Sequence, residues 1–291
     1  MKNYAFGIAA TLLMLALSGQ LRADLQWPGV VESADGVAIS YEVTGQGEPA
    51  LVFIHGWSCD ARYWRAQVPH FSRDHQVVTV DLAGHGHSGL GRKDYSMTAF
   101  GQDVNAVLDR IGAEQVILVG HSMGGPVSVA AATAMPDRVV GIIGVDTFQG
   151  VVQEFSAEVA QSWLSPLRED FRNAAPAFVA GMFIDETDAS LRDWVIADMA
   201  AAPPEVAVSA MEHMLADMVS GQAREAFARL EVPIVAINAD IWPTDIDGNR
   251  QVRSDFDAVI MENTDHFLHM AEPDAFNKKL ATVISGLIDR E

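Results

Sequence analysis

Residues 115–126, QVILVGHSMGGP, constrain the fold of this chain more than any other stretch. A short apolar run at 116–119 ends at Gly120, and the alanine-rich sequence VSVAAATA follows Pro126. This order predicts a strand that turns sharply into a helix, with Ser122 between two glycines at the turn. G-x-S-x-G in that context is typical of a catalytic nucleophile, because the sharp turn pushes the hydroxyl out of the sheet. The alternative is an ordinary tight turn before a helix.

Strand-like and helix-like patterns alternate along the rest of the chain. Short runs rich in β-branched residues predict strands, whereas apolar spacing of three and four residues predicts helices. The predicted strands are 37–43, 51–54, 77–80, 116–119, 139–145, 233–237 and 258–261, and the clearest helices are 97–111 and 274–288. Repeated strand–helix units predict an α/β fold with a mostly parallel, doubly wound sheet.

The region 148–230 interrupts this alternation. It carries no convincing strand signal and is rich in Ala, Met and Phe, as in FVAGMFI and VSAMEHMLADMV. We interpret it as an inserted helical cap over the carboxyl edge of the sheet, and we call it the cap region. The predicted core is then 24–147 together with 231–291. Ordinary helical packing without a ligand role is the alternative, because methionine is more often a core residue than a substrate contact.

The first 23 residues have the layout of a secretory signal peptide. Lys2 precedes a nearly continuous apolar run over residues 4–17, and small or polar residues follow. That run is shorter than the roughly 20 residues that a spanning helix needs. We expect cleavage after Ser18 or Ala23 and an exported protein, periplasmic or secreted; a retained anchor helix is the alternative.

The charge balance and the single cysteine narrow the possible partners and chemistries. There are 19 Lys and Arg against 39 Asp and Glu, a formal charge of −20, which disfavours nucleic acid and anionic lipid surfaces as partners. Cys59 is the only cysteine, so no internal disulfide can form. We interpret it as a small core or loop residue rather than a catalytic thiol.

A serine nucleophile needs a base, and the nine histidines are the candidates. His266 follows the last predicted strand, so it lies at the same sheet edge as Ser122. His121 adjoins Ser122, but adjacent side chains diverge; His269 lies in the next turn and is interpreted as structural.

His85 and His87 lie in GHGHSG, which lacks the continuation of a metal-binding motif. Neither a metal site nor a cofactor is therefore predicted.

Two backbone N–H groups are candidates for an oxyanion hole. The helix that begins near Met123 directs its N–H groups and positive dipole end towards Ser122. The loop after strand 51–54 reads HGW, where Gly56 permits close approach and the Trp57 N–H can point at the same place.

These segments together resemble the α/β-hydrolases. HGW, DLAGHGHSG, VGHSMGG and DHFLHMAEP occur in that family's order, and the resemblance spans 37–289. Within that family the chain is similar to the branch of small esterases, lactonases, carbon–carbon hydrolases and cofactor-free peroxidase-like enzymes. The resemblance implies Ser122 as nucleophile, His266 as base, and the Trp57 and Met123 N–H groups as the oxyanion hole. Dehalogenases and epoxide hydrolases of this fold carry aspartate as nucleophile, so the serine argues against both.

The sequence departs from the family pattern at the base and at the acid. Asp265 stands where the family usually has glycine before the histidine. The acid usually follows a glycine-containing turn after the seventh strand, but this chain reads PIVAINADIWPTD there, and ungapped alignment puts Trp242 at the acid position. Asp240 is the first choice for the acid, Asp146 after the sixth strand is the alternative, and Asp245 is a distant third.

The expected activity is hydrolysis of a carboxylic ester or lactone through an acyl-serine intermediate. The aromatic and methionine-rich cap region predicts a small-molecule substrate with an apolar acyl or alcohol portion. Carbon–carbon bond hydrolysis and perhydrolysis on the same residues are the alternatives within enzymes. A non-catalytic ligand-binding module of the same fold is the alternative outside them.

Overall fold

The computed structural model describes residues 28–289. The predicted signal peptide, residues 1–23, lies outside this range and stays a prediction. No helix in the described part of the chain is long and apolar enough to cross a membrane.

Eight strands form one sheet, in the order β1-β2-β4-β3-β5-β6-β7-β8 across it. In chain order they are β1 (Gly29–Glu32), β2 (Ala38–Thr44), β3 (Ala50–Ile54), β4 (Val77–Val80), β5 (Val116–His121), β6 (Val139–Val145), β7 (Ile234–Ala239) and β8 (Asp257–Met261). The pairs β1–β2 and β2–β4 are antiparallel, and every other neighbouring pair is parallel. The predicted α/β fold with a mostly parallel sheet is therefore confirmed.

Eleven α-helices accompany the sheet within residues 28–289. They are α1 (Val68–Phe71), α2 (Met97–Ile111), α3 (Gly124–Ala134), α4 (Ala157–Glu169), α5 (Phe171–Ala180), α6 (Ala189–Ala200), α7 (Pro204–Ser220), α8 (Gln222–Arg229), α9 (Ile246–Val252), α10 (Leu268–Ala271) and α11 (Pro273–Ile288). Five of them, α4–α8, fall inside the cap region between β6 and β7, and residues 148–230 contain no strand.

Helix α2 shows how local sequence sets the element boundaries. The Ser96 side chain accepts a hydrogen bond from the Ala99 N–H at the start of the helix, and Gly112 ends it in a left-handed conformation with φ 68°. Between them Phe100, Val104 and Val107 are fully buried on one face. The observed bounds are those predicted from the spacing of the apolar residues.

The continuous apolar strands are explained by cores on both faces of the sheet. In β3, Leu51 and Phe53 belong to the core that includes Phe276 of α11, whereas Val52 and Ile54 belong to the core that includes α2. Side chains alternate between the two faces of a strand, so a strand buried on both faces is apolar throughout. The parallel strands β3–β8 then end at one edge of the sheet, where the loops that carry the predicted site residues meet.

Candidate active site

Ser122 occupies a strained turn between β5 and α3. Its φ is 52°, a left-handed conformation that residues other than glycine seldom adopt. Backbone hydrogen bonds hold it on both sides: its N–H donates to the Val145 carbonyl at 2.9 Å, and its carbonyl accepts from the Gly125 N–H at 2.9 Å. Strain of this kind persists only where the surroundings enforce it, which is common at functional sites.

The two glycines of the motif are required by close backbone approach. A Cβ at Gly120 would lie 2.2 Å from the Gly124 carbonyl oxygen, and a Cβ at Gly124 would lie 2.4 Å from the Ile54 carbonyl oxygen. Both contacts are with backbone atoms, which cannot move aside as a flexible side chain can. The strand, the helix and the neighbouring strand β3 therefore meet here only because these positions lack side chains.

His266 and Asp146 form a buried pair at the same sheet edge. His266 Nδ1 lies 2.5 Å from Asp146 Oδ2, and the two side chains are 8% and 0% exposed. Asp146 is itself fixed, because its N–H donates to the Ile237 carbonyl and its Oδ1 accepts from the Ala239 N–H at 2.9 Å. A proton on Nδ1 satisfies this contact and leaves His266 Nε2 free to accept another proton.

The structure does not place Asp240, the first choice for the acid, against His266. Asp240 is exposed, and its two carboxylate oxygens accept the backbone N–H groups of Asn263 and Thr264 at 2.9 and 3.2 Å. Those hydrogen bonds lower its pKa. The residue therefore ties the end of β7 to the loop after β8, and Asp146 takes the place against His266. Asp245 caps α9 by accepting from the Gly248 N–H.

Both backbone groups of His266 are also held. Its N–H donates to the Met182 carbonyl of the cap region at 3.1 Å. Its carbonyl oxygen lies 2.8 Å from His121 Nε2, which must therefore carry the proton and donate. The His121 side chain thus bonds the backbone of His266 and holds the histidine loop next to the serine turn. The hydrogen bonds described for His266 join it to Asp146, His121 and Met182; the bond between a catalytic serine and its base often tightens only when substrate is bound.

The histidines behind His266 are uncharged at neutral pH. Burial holds the pKa of His121 well below its ordinary value, and the neighbouring His266 and His269 lower it further. Burial also lowers the pKa of His269 to about 3. The acidic side chain that contacts the His266 ring is that of Asp146.

The loop after β3 lies against the serine turn. A Cβ at Gly56 would lie 2.9 Å from His121 Nδ1 and 3.2 Å from the Ser122 Cβ, so only glycine fits there. Trp57 and Met123 are 3% and 1% exposed, and their backbone N–H groups donate to no carbonyl among the described residues. Both groups remain candidates for an oxyanion hole.

Aromatic side chains link the site loops to the cap region. The Trp57 indole N–H donates to the Ala207 carbonyl in α7 at 2.7 Å, and its ring packs edge-on against Phe178 of α5 with ring centres 5.7 Å apart. Trp242 packs edge-on against the His266 ring at 5.3 Å and is 37% exposed. Trp242 is the residue that ungapped alignment puts at the family's acid position, and here its indole contacts the His266 ring.

The remaining reactive side chains take no part in this arrangement. Burial raises the pKa of Cys59 well above its ordinary value, so the thiol stays protonated. Burial lowers the pKa of His85 to about 3. Within residues 28–289 no group of three or more His, Cys, Asp or Glu is arranged to hold a metal ion.

Comparison with known proteins decides the family. The profile of the Alpha/beta hydrolase family matches residues 51–279, most of the chain. The chain belongs to the alpha/beta hydrolase family. It is an enzyme of the hydrolase class, as several of its relatives are.

Named relatives of this hydrolase include enzymes that act on esters and lactones. It is 29% identical over 201 residues to a pimeloyl-[acyl-carrier protein] methyl ester esterase of Edwardsiella ictaluri, covering 67% of this chain and 76% of that one. It is 26% identical over 264 residues to 3-oxoadipate enol-lactonase 2 of Acinetobacter baylyi, covering 87% and 95%. The solved esterase of Exiguobacterium antarcticum superposes with a TM-score of 0.78 at 16% identity, covering 89% and 100%, which shows a shared fold.

Sequence reasoning missed several contacts of the hydrolase site. The unusual Asp265 before His266 is visible in the sequence, but its partner Thr187, whose hydroxyl donates to Asp265 Oδ2 at 2.5 Å, is not. The hold of His121 on the His266 carbonyl was missed as well. Each contact joins residues far apart in the chain, so no local pattern announces it.

Proposed function

We propose that this hydrolase cleaves a carboxylic ester or lactone through an acyl-serine intermediate. In this proposal Ser122 is the nucleophile, His266 the base and Asp146 the acid. The observation that carries it is the buried Asp146–His266 pair beside a serine held at φ 52°. The esterase and enol-lactonase among the relatives support the choice of substrate class.

The geometry supports the following reaction. Ser122 Oγ attacks the carbonyl carbon of the substrate while its proton passes to His266 Nε2. Asp146 keeps the proton on Nδ1 and stabilises the imidazolium that forms. The tetrahedral intermediate then expels the alcohol, which takes the proton back from Nε2. Water, activated by the same histidine, hydrolyses the acyl-serine and restores the enzyme; a lactone opens to the hydroxy acid by the same steps.

The oxyanion of the tetrahedral intermediate is assigned to the backbone N–H groups of Trp57 and Met123. Donors aimed at a developing oxyanion each contribute roughly 10²–10³-fold to kcat in serine hydrolases. Gly56 supports this role, because its missing side chain lets the loop after β3 approach Ser122. No cofactor enters the proposed reaction.

The cap region is proposed to select the substrate. Its helix α5 supplies Phe178, which packs on the Trp57 ring, and the linker after α5 supplies the Met182 carbonyl on His266. Phe178 and the exposed Trp242 support a substrate with an apolar or aromatic portion. The proposed substrate is a small molecule.

Export is a further proposal, and it rests on residues 1–23 alone. N-terminal sequencing of the mature protein tests it: a start at residue 19 or 24 is expected, and membrane-bound material with an intact Met1 would refute it.

An ester and lactone panel tests the proposed activity. Purified protein is assayed on p-nitrophenyl esters of increasing acyl length and on lactones of several ring sizes, with products identified by chromatography. We expect turnover by the wild type and its loss in Ser122→Ala, which keeps the fold. Failure of the folded wild type to cleave any ester or lactone of the panel would contradict the assigned reaction.

A further inference from the structure

The linker between α5 and α6, residues 181–188, contacts three consecutive residues of the histidine loop; we call this linker the strap. The Thr187 hydroxyl donates to Asp265 Oδ2 at 2.5 Å. The Met182 carbonyl accepts the His266 N–H at 3.1 Å. Phe183 of the strap stacks on Phe267, with ring centres 5.0 Å apart and planes 21° apart.

Asp265 is the polar centre of these contacts. Its side chain is buried, with 1% of the residue exposed, and its Oδ1 accepts the Phe267 N–H at 2.7 Å. Burial raises the pKa of Asp265, and the Thr187 hydroxyl is the next largest influence, stabilising the ionised form. Without that hydroxyl, Oδ2 would be buried without its donor, so the loop would have to move to rehydrate it.

His266 itself has one backbone tether on each side. His121 Nε2–H holds its carbonyl from the core, and the strap holds its N–H from the cap region. The 2.5 Å contact between Nδ1 and Asp146 depends on both, since a shift of the backbone moves the ring.

We propose that Thr187 and Asp265 are positioning residues through which the strap sets His266 against Asp146. The cap region then has a role besides substrate selection: the catalytic pair is fully aligned only while the strap is docked. This inference rests on the proposed function of His266 as the base. Neither residue touches the reacting atoms.

The test compares Thr187→Val, which removes the hydroxyl but keeps the branched shape, with Thr187→Ser, which restores it. The matched control is Thr282→Val in α11, whose hydroxyl donates to the Lys278 carbonyl on an exposed face. Two properties are measured: kcat and KM on p-nitrophenyl acetate, and the low-field ¹H NMR signal of the His266 Nδ1 proton. The NMR signal needs no turnover.

We expect Thr187→Val to lower kcat by about 10-fold to 100-fold with little change in KM, because a small misplacement of a catalytic group costs about that much. Its Nδ1 signal should shift or broaden, while Thr187→Ser and Thr282→Val keep wild-type values of both. If Thr187→Val does not fold, Asp265→Ala gives the same test, since alanine has no oxygen to accept the Thr187 hydroxyl.

If the wild type is active and Thr187→Val has the same kcat and the same Nδ1 signal, this inference is overturned and the proposed function stays intact. A loss of kcat that Thr187→Ser does not restore also overturns it, because the hydroxyl is then not the cause. A wild type that hydrolyses neither an ester nor a lactone refutes the proposed function instead, and the Nδ1 signal still reports whether the strap positions His266.

Discussion

Asp146→Asn should inactivate this hydrolase by changing which nitrogen of His266 carries the proton. Asp146 Oδ1 accepts the Ala239 N–H, so an asparagine would keep its oxygen there. Its amide nitrogen would then stand in the place of Oδ2, 2.5 Å from Nδ1 in the wild type. An amide donates, so Nδ1 must become the acceptor and Nε2 must hold the proton. In that tautomer Nε2 cannot take a proton from Ser122.

The magnitude follows from the cost of the wrong tautomer and of the lost carboxylate charge. In the well-studied serine proteases the corresponding change lowers kcat by about 10⁴-fold. At about 1.4 kcal/mol for each factor of ten, this is about 5 kcal/mol of transition-state stabilisation. Folding should change much less, because the substitution is isosteric and the Ala239 hydrogen bond survives.

The assay compares Asp146→Asn with Asp240→Asn on one p-nitrophenyl ester at neutral pH, with thermal unfolding of both. Among the described residues the Asp240 carboxylate accepts only from backbone N–H groups, so its variant should keep nearly full kcat. Near-wild-type kcat in Asp146→Asn, or a collapse of kcat in Asp240→Asn, would refute the assignment of the acid.

Three further predictions concern acid stability, the turn and the cap region. Burial lowers the pKa of His269 to about 3 from an ordinary value near 6.5, so between these pH values the unfolded chain binds the extra proton and stability falls as the pH falls. We measure the free energy of unfolding by urea as a function of pH. Its slope should be smaller in His269→Phe than in the wild type by about 1.4 kcal/mol per pH unit, and equal slopes in the two proteins would contradict the pKa shift. Gly124→Ala should lower Tm and the rate of fluorophosphonate labelling, because its Cβ would lie 2.4 Å from the Ile54 carbonyl oxygen; a normal Tm would show that the turn is looser than described. Met214→Ala, at a half-buried position in α7, should change kcat/KM between short and long acyl chains more than it changes Tm, whereas equal effects on all substrates would favour plain packing.

The elements and the serine turn could be predicted because their determinants are local. The apolar runs, the glycines around Ser122 and the Ser96 hydrogen bond that starts α2 each act within a few residues. His266 could be found as well, since it lies in the loop after β8, which ends at the same sheet edge as the serine turn. The short edge strand β1 was missed, because GVVE carries too few residues to show a pattern.

The carboxylate that contacts His266 could not be predicted from the sequence because it depends on how two loops fold in space. Asp146 and Asp240 both follow parallel strands, and only the three-dimensional structure shows that Asp240 turns towards Asn263 while Asp146 turns towards His266. The hydrogen bond between Thr187 and Asp265 joins residues 78 positions apart. Such contacts arise from the packing of the cap region on the sheet, which no local pattern encodes.

Covalent labelling of Ser122 tests the central claim most directly. Wild-type protein and Ser122→Ala are treated with a fluorophosphonate, and the intact masses and the labelled peptide are measured. We predict one adduct per wild-type chain, located at Ser122, and none in a Ser122→Ala variant with unchanged thermal unfolding. An unlabelled wild type, or an adduct that persists in Ser122→Ala, would contradict the assignment of Ser122 as the nucleophile.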